Sequence, residues 1–286
     1  MTVSIVIPAK NEGASISKVL DGVKTALEGV ELEIIVVDDG SLDSTFDLAL
    51  RSGVHVIKHP YSKGNGASIK TGTRAAKGDV IVFMDADGQH NPTDIPRLLK
   101  KLEEGFDLVV GARQRGSQAN FGRGIANGFY NWLASYISGH DVKDLTSGFR
   151  VVRANKFKEF IYLLPNGFSY PTTSTMAFFR AGYSVAYEPI HAARREGKSH
   201  IKPIRDGARF LLIIFKIGTL YSPLKVFAPI GAIIFLMATL WYGYTLKFEG
   251  RFTNMSALLY TGSVMIFLMG LISEQITALM YKKDGE

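Results

Sequence analysis

No cysteine occurs among the 286 residues, which excludes disulfides and thiolate metal sites. Internal repeats and low-complexity tracts are missing too. The first residues lack the basic stretch and long apolar run of a secretory leader. Met1 to Pro8 reads as a short apolar strand instead, so no cleaved signal is expected. Lys and Arg outnumber Asp and Glu by 33 to 26, a formal charge of +7, but they are dispersed and accompany no aromatic-basic recognition motif. Nucleic acid is therefore not an expected partner, and phosphate groups or a membrane surface account better for the excess.

Charge is absent altogether from Val226 to Leu246 and from Phe252 to Ser273. Each stretch is long enough to cross about 30 Å of hydrocarbon as a helix, and the short link Lys247 to Arg251 predicts a transmembrane hairpin rather than a pair of buried core helices. Pro229 fits an early turn of the first helix. Arg205, Arg209, Lys216 and Lys225 precede the hairpin and Lys282 and Lys283 follow it, so both ends are expected in the cytosol. Arg205, Arg209 and Lys216 are spaced by four and seven on one helical face of an otherwise apolar segment. That pattern suits a helix lying in the membrane surface, where each basic residue contributes about 1 kcal/mol against an anionic leaflet. The predicted organisation is a catalytic domain over residues 1–200, an interfacial amphipathic segment over 201–224, and membrane helices at about 226–246 and 252–273 with a short cytosolic tail.

The first two thirds alternate strand-like and helical runs: Val3 to Ile7, Ile16 to Leu27, Glu33 to Val37, Ser44 to Ser52, Val54 to Ile57, Ala67 to Ala76 and Val80 to Met84. This is an α/β pattern with a mainly parallel sheet. Such sheets bind ligands beyond the carboxyl ends of their strands, so residues after Ile7, Val37 and Met84 should share one crevice. Asn91, Pro92 and Asp94 form a helix-start signal, which pins Asp85 to His90 as a short loop. Asp107 to Gly111 reads as a further strand and Phe121 to Ser138 as a helix of mixed polarity.

Asp85-Ala86-Asp87-Gly88-Gln89-His90 directly follows an apolar strand. Two carboxylates in a strand-end loop offer hard oxygen ligands to Mg²⁺ or Mn²⁺ bridging a diphosphate, although an isolated acidic turn more often has no such role. At the first strand end stands Pro8-Ala9-Lys10-Asn11-Glu12, and at the second Asp38-Asp39-Gly40-Ser41. Asp39 is suited to accept hydrogen bonds from a base or ribose, and the backbone at Pro8 and Ala9 to lie against a base face. Ordinary turn and cap chemistry is the competing explanation. Gly197-Lys198-Ser199 mimics the end of a P-loop, but Ala192 stands where the first glycine belongs. Gly64-x-Gly66 likewise fails as a dinucleotide fingerprint, having Ile69 at the third position.

Seven ordered segments together resemble glycosyltransferase family 2 over essentially the whole chain, and within it the polyprenyl-phosphate hexosyltransferases. They are residues 3–12, 37–41, 63–67 (Lys63-Gly64-Asn65-Gly66-Ala67), 85–90, Gly111-Ala112-Arg113, Thr146-Ser147-Gly148-Phe149-Arg150, and Arg194 to Ser199. The resemblance implies a GT-A-type catalytic domain with a divalent metal, a nucleotide diphosphate sugar as donor and a polyprenyl or dolichyl monophosphate as acceptor. It also implies roles for residues. Pro8, Ala9, Asn11, Glu12 and Asp39 match the nucleoside pocket, with Lys63 and Ala86 beside them. Asp85, Asp87 and Gln89 match the metal and diphosphate contacts, and Arg113 the donor side of the reaction centre. Arg123 and Asn127, four apart on one helix, match the acceptor phosphate site, where a guanidinium makes paired bonds to phosphate oxygens. Arg194 and Lys198 match a loop closing over the diphosphate. Asp87 and Asp144 are the carboxylates available as a base, with metal binding or positioning expected instead. The compact two-helix tail favours UDP over GDP donors, and homo-oligomers are frequent in the family.

A lipid monophosphate is largely a dianion at neutral pH, its second pKa lying near 6, so transfer needs no strong general base. One in-line displacement with inversion is expected, driven by positioning and charge stabilisation. A processive polysaccharide synthase would carry Gln-x-x-Arg-Trp, and neither Trp132 nor Trp241 follows an Arg. A noncatalytic membrane scaffold with a nucleotide-sugar pocket is the alternative of a different class.

Overall fold

The computed structural model describes residues 2–113, 121–167, 169–191, 215, 218, 219 and 222–281. They form two compact units, Met1–Leu133 with His140–His200, and Ala134–Gly139 with Ile201–Glu286.

The first unit is built on strands β1 (Val3–Ala9), β2 (Leu32–Asp38), β3 (His55–Lys58), β4 (Val80–Phe83), β5 (Leu108–Arg113), β6 (Arg150–Arg153) and β7 (Val185–Ile190). Its helices are α1 (Ile16–Ala26), α2 (Thr45–Arg51), α3 (Asn65–Ala75), α4 (Ile95–Glu103), α5 (Phe121–Ser138), α6 (Ala154–Lys158) and α7 (Tyr170–Arg180). The sheet order is β3-β2-β1-β4-β6-β5-β7. Every pairing is parallel except those of β6, which runs against both β4 and β5.

Residue chemistry explains this order. All seven residues of β1 are buried, the near-continuous apolar run of a strand covered on both faces. Pro8 is tolerated in this central strand because its pairing with β4 ends at Val6 and Phe83. Ile16, Val19, Leu20 and Val23 make the buried stripe of α1, and Ile95, Leu98, Leu99 and Leu102 that of α4, both at helical spacing. Phe83, Phe149 and Phe157 are fully buried, each contributing about 2–3 kcal/mol of transfer free energy. The Asn91 side chain accepts from Thr93 N at 3.1 Å, as its cap signal predicts. Asp94 instead stands 3.5 Å from Arg97.

In the second unit, α8 (Pro223–Glu249) and α9 (Asn254–Tyr281) form a helical hairpin. Both helices exceed the predicted spans, and Pro223, not Pro229, takes the first helical position while Pro229 lies inside α8. Their most apolar windows have mean hydropathy 1.9 yet are only 11% and 17% buried. A core helix of a soluble protein hides such residues; here Ile233, Leu236, Leu240, Leu258, Met265 and Ile272 all face outward.

Candidate active site

Three loops meet at the carboxyl edge of β1, β2 and β4. Asp39 N donates to Ala9 O at 2.8 Å, joining the first two strand ends. Asn11 N donates to Ser41 Oγ at 2.9 Å, and Asn11 Oδ1 accepts from Leu42 N at 2.9 Å, which holds Asn11 at the positive φ of 55° that Asn tolerates better than most residues. Glu12 N donates to Thr45 Oγ1 at 2.8 Å. Ser15 Oγ donates to Ala86 O at 2.7 Å, tying the start of α1 to the acidic loop. Pro8, Ala9, Asn11, Glu12, Asp39 and Ala86 are thereby brought together.

Asp39 is 4% exposed and its carboxylate is fully engaged within the protein. It lies 2.8 Å from His59 Nδ1 and accepts from Ser62 Oγ at 2.7 Å, Lys63 N at 2.7 Å and Gly64 N at 2.9 Å. Burial alone would raise its pKa, but the bonds from His59, Ser62, Lys63 and Gly64 outweigh burial and lower it to about 2. These bonds make the side chain an anchor for the loop before α3. Lys63 contributes its backbone to that anchor, and its ammonium lies 5.8 Å from the Tyr61 ring centre.

The segment Lys63 to Ala67 is held by a neighbouring loop. Gly66 N donates to Gly167 O and Ala67 N to Asn166 O, both at 3.1 Å, so the first-turn donors of α3 are consumed by a neighbouring loop. A Cβ on Gly66 would stand 2.1 Å from Pro165 O, which explains the glycine.

Asp85 follows β4 by two residues, and 36% of its side chain is exposed. Desolvation raises its pKa first; His90 opposes this, the neighbouring charge of Asp87 adds to it, and Asn65 and Arg113 pull against it, with a net upward shift. Asp87 Oδ1 accepts from Gln89 N at 3.1 Å, closing the turn. His90 stacks on Phe149 at 5.0 Å. The residue after Ser147 must be small: a Cβ on Gly148 would meet Asp85 Oδ2 at 2.9 Å.

Arg113 ends β5 and makes a paired contact with Asp144, Nε to Oδ2 at 2.8 Å and an Nη to Oδ1 at 2.9 Å, with Thr146 Oγ1 a further 2.6 Å contact. Asp144 also accepts from the amides of Thr146 and Ser147 at 3.1 Å. Burial would raise its pKa, but Arg113 and these amides hold it below the usual range. A carboxylate so saturated is a poor proton acceptor and a good clamp for Arg113. Arg113 is itself kept charged, the Asp144 bond outweighing desolvation.

Arg150 has no counterpart among the expected site residues although its motif is legible. It is fully buried and donates to Ser147 O, Pro171 O, Ser174 Oγ and Thr175 Oγ1, fixing the turn that carries Gly148. His59 was legible only through its position just after β3. The side chains of Arg123 and Asn127, and the whole of Arg194 and Lys198, lie outside the described residues; Arg123 and Asn127 are placed by their backbone in α5.

The donor set fits a hard divalent cation. Asp85 and Asp87 supply two carboxylates in a partly desolvated pocket whose mutual repulsion a cation relieves. Among the described residues no three His, Cys, Asp or Glu side chains cluster, so further oxygen ligands would come from a diphosphate.

A mostly parallel sheet with an acidic loop at its switch point and one reversed strand defines a GT-A nucleotide-sugar transferase. The chain belongs to glycosyl transferase family 2: residues 4–161 match that family, and residues 222–279 match the GtrB C-terminal hairpin. It is 28% identical over 303 residues to undecaprenyl-phosphate 4-deoxy-4-formamido-L-arabinose transferase of Photorhabdus laumondii, covering 96% of this chain and 88% of that one. Dolichol-phosphate mannosyltransferase of Pyrococcus furiosus is 35% identical over 184 residues, 59% of this chain and 50% of the relative. Glucosyl-3-phosphoglycerate synthase of Mycobacterium tuberculosis, solved with Mn²⁺ and UDP-glucose, shares the fold with a TM-score of 0.61 and 24% identity over 74% of this chain and 77% of that one. The chain is thus an enzyme of the class whose members transfer sugars to polyprenyl phosphates, and both helices of its hairpin are long and apolar enough to cross a membrane.

Proposed function

We propose that this enzyme moves a hexose, with inversion, from a UDP-sugar to a polyprenyl or dolichyl monophosphate at the cytosolic face of the cell membrane. The observation that carries the reading is the convergence of Asp85, Gly148 and the Arg113–Asp144 pair at one sheet edge, in a chain that ends in an outward-facing apolar hairpin. The GtrB-type hairpin and the UDP-glucose bound by the fold relative support a UDP donor.

Pro8, Ala9, Asn11 and Glu12 frame the nucleoside side, with Asp39 holding the loop that faces them. Asp85 and Asp87, with Gln89 on the same turn, hold Mg²⁺ or Mn²⁺. A cation held by these residues would supply charge neutralisation to the departing diphosphate. Arg113, locked by Asp144, presents a fixed guanidinium to the reacting phosphates at no reorganisation cost. Asp87 and Asp144 position rather than accept protons, because the lipid phosphate is already a dianion. Arg123 and Asn127 bind that acceptor, and Arg194 and Lys198 cover the diphosphate. The homo-oligomer common in the family is part of the same reading.

A thermal-shift panel of UDP, GDP and their sugars with Mn²⁺ tests the donor, and stabilisation by guanosine compounds alone would reject UDP. Transfer of labelled sugar to undecaprenyl phosphate tests the acceptor, with NMR of the product reading its anomeric configuration. Arg123→Ala should raise the acceptor KM about tenfold or more, the scale of a charge-assisted bond to phosphate, and leave donor binding unchanged.

A further inference from the structure

Arg150 opens β6 and is wholly buried. Among the described residues its hydrogen bonds all end on neutral oxygens. Nε and one Nη donate to Ser147 O at 3.1 and 2.6 Å. The other Nη lies 2.9 Å from Pro171 O, 2.8 Å from Ser174 Oγ and 3.2 Å from Thr175 Oγ1. Both hydroxyls donate their own protons to Pro171 O, which leaves their lone pairs to the guanidinium. Asp144 is already paired with Arg113. Burying a charge with no anion beside it is unfavourable, and an apolar side chain would fill the same space without that penalty. What a guanidinium alone supplies is a rigid fork of donors, here joining the Ser147 carbonyl to the start of α7.

The next carbonyl is held by the same helix. Tyr170, 2% exposed, donates its hydroxyl to Gly148 O at 3.1 Å, and its ring meets that of Phe83 edge-on at 6.1 Å. Burial first, then the charge of Asp85, raises the pKa of Tyr170, so the phenol keeps the proton it donates. On one side of this turn the amides of Thr146 and Ser147 donate to Asp144, which holds Arg113, and Thr146 Oγ1 accepts from Arg113 directly. On the other side Gly148 faces the acidic loop: a Cβ there would stand 2.9 Å from Asp85 Oδ2 and 3.4 Å from the Tyr170 hydroxyl. Residues 146–148 therefore bridge Arg113 and Asp85, and Arg150 and Tyr170 fasten the bridge to α7.

We propose that Arg150 and Tyr170 are positioning residues for sugar transfer: too buried to touch donor or acceptor, they fix the 146–148 turn and with it the separation of Asp85 from Arg113. Misplacing reacting groups by about 1 Å costs on the order of 10²-fold in rate, so a turn that loses one of these bonds is read in turnover. This rests on the divalent-cation site and UDP donor proposed above.

The test uses the full chain in nanodiscs, with Mn²⁺ binding in the presence of UDP read by electron paramagnetic resonance and transfer measured from UDP-glucose to undecaprenyl phosphate. Tyr170→Phe keeps the ring and removes the hydroxyl. Its Mn²⁺ Kd should rise and its kcat fall, each about tenfold, the lower end of what outer-shell partners of metal ligands contribute, while the Kd for UDP without metal stays unchanged. Ser174→Ala, which removes one acceptor of Arg150, should shift both in the same direction by less. Phe157→Leu, a core change against Phe83, should lower Tm and leave Mn²⁺ Kd and kcat unchanged. An unchanged Mn²⁺ Kd or kcat in Tyr170→Phe overturns the proposal, as does an equal loss in Phe157→Leu, which would make the role purely structural. If the wild type binds no Mn²⁺ or turns over no UDP-glucose, the cation or donor reading falls, and amide exchange over residues 146–148 decides the positioning by itself. Quickened in Tyr170→Phe but not in Phe157→Leu, it supports the proposal; unchanged in Tyr170→Phe, or quickened equally in both, it overturns it.

Discussion

Asp39 and Asp85 stand at the same sheet edge in opposite electrostatic conditions. Asp39 is sealed by four hydrogen bonds and acidified to about 2. Asp85 faces the crevice, shares it with Asp87, and has its pKa raised. A carboxylate whose acceptors are satisfied internally is finished as a structural element, whereas one left desolvated beside another acid is stabilised only by a ligand that brings positive charge. The contrast separates scaffold from site more sharply than exposure alone.

The largest test of the comparison is Asp85→Asn. It should reduce kcat about 10²–10³-fold, the scale of a lost transition-state charge interaction, and abolish Mn²⁺-dependent stabilisation seen by thermal shift, while leaving the metal-free protein at least as stable as wild type. A metal-free variant that unfolds well below wild type would return Asp85 to the scaffold. Asp39→Asn should do the reverse, costing about 2 kcal/mol of unfolding free energy at neutral pH with Mn²⁺ affinity of the folded protein retained. Because folding lowers the pKa of Asp39 from 3.8 to about 2, its contribution is fully present above pH 3.8 and is lost as pH falls through about 2. Urea denaturation of wild type and variant at pH 7 and pH 3 should therefore show their difference shrinking toward acid. Gly148→Ala is the smallest change: its added methyl crowds Asp85 Oδ2 and should weaken Mn²⁺ binding roughly tenfold, as perturbations next to metal ligands do, with under about 1 kcal/mol lost in stability. Unaltered Mn²⁺ affinity would separate the Gly148 turn from the cation site.

Much of the fold was legible because its parallel half is written in runs that local patterning reveals: β1, β2, β3 and β4 and the helices between them fall within a few residues of where the apolar periodicity puts them. The other half was harder. β6 is four residues long with an arginine at each end, β7 carries Glu188 and Pro189, and α7 buries Thr172, Thr173, Ser174 and Thr175, hydroxyls that read as loop until Arg150 and nearby carbonyls supply their partners. The acidic loop and the Arg113 motif could be read as chemistry because each is contiguous. The saturation of Asp39 could not, since His59 and Ser62 arrive from twenty or more residues away and only the folded sheet brings them close.

The reversed direction of β6 decides which of its flanking residues reach the crevice. A parallel strand delivers to the crevice only the residues at its C-terminal end, whereas β6 delivers those at its N-terminal end, the stretch closing with Gly148. Replacements just upstream of that strand therefore act directly on Asp85 and on the Arg113–Asp144 pair, where a change of equal size beyond its other end would not.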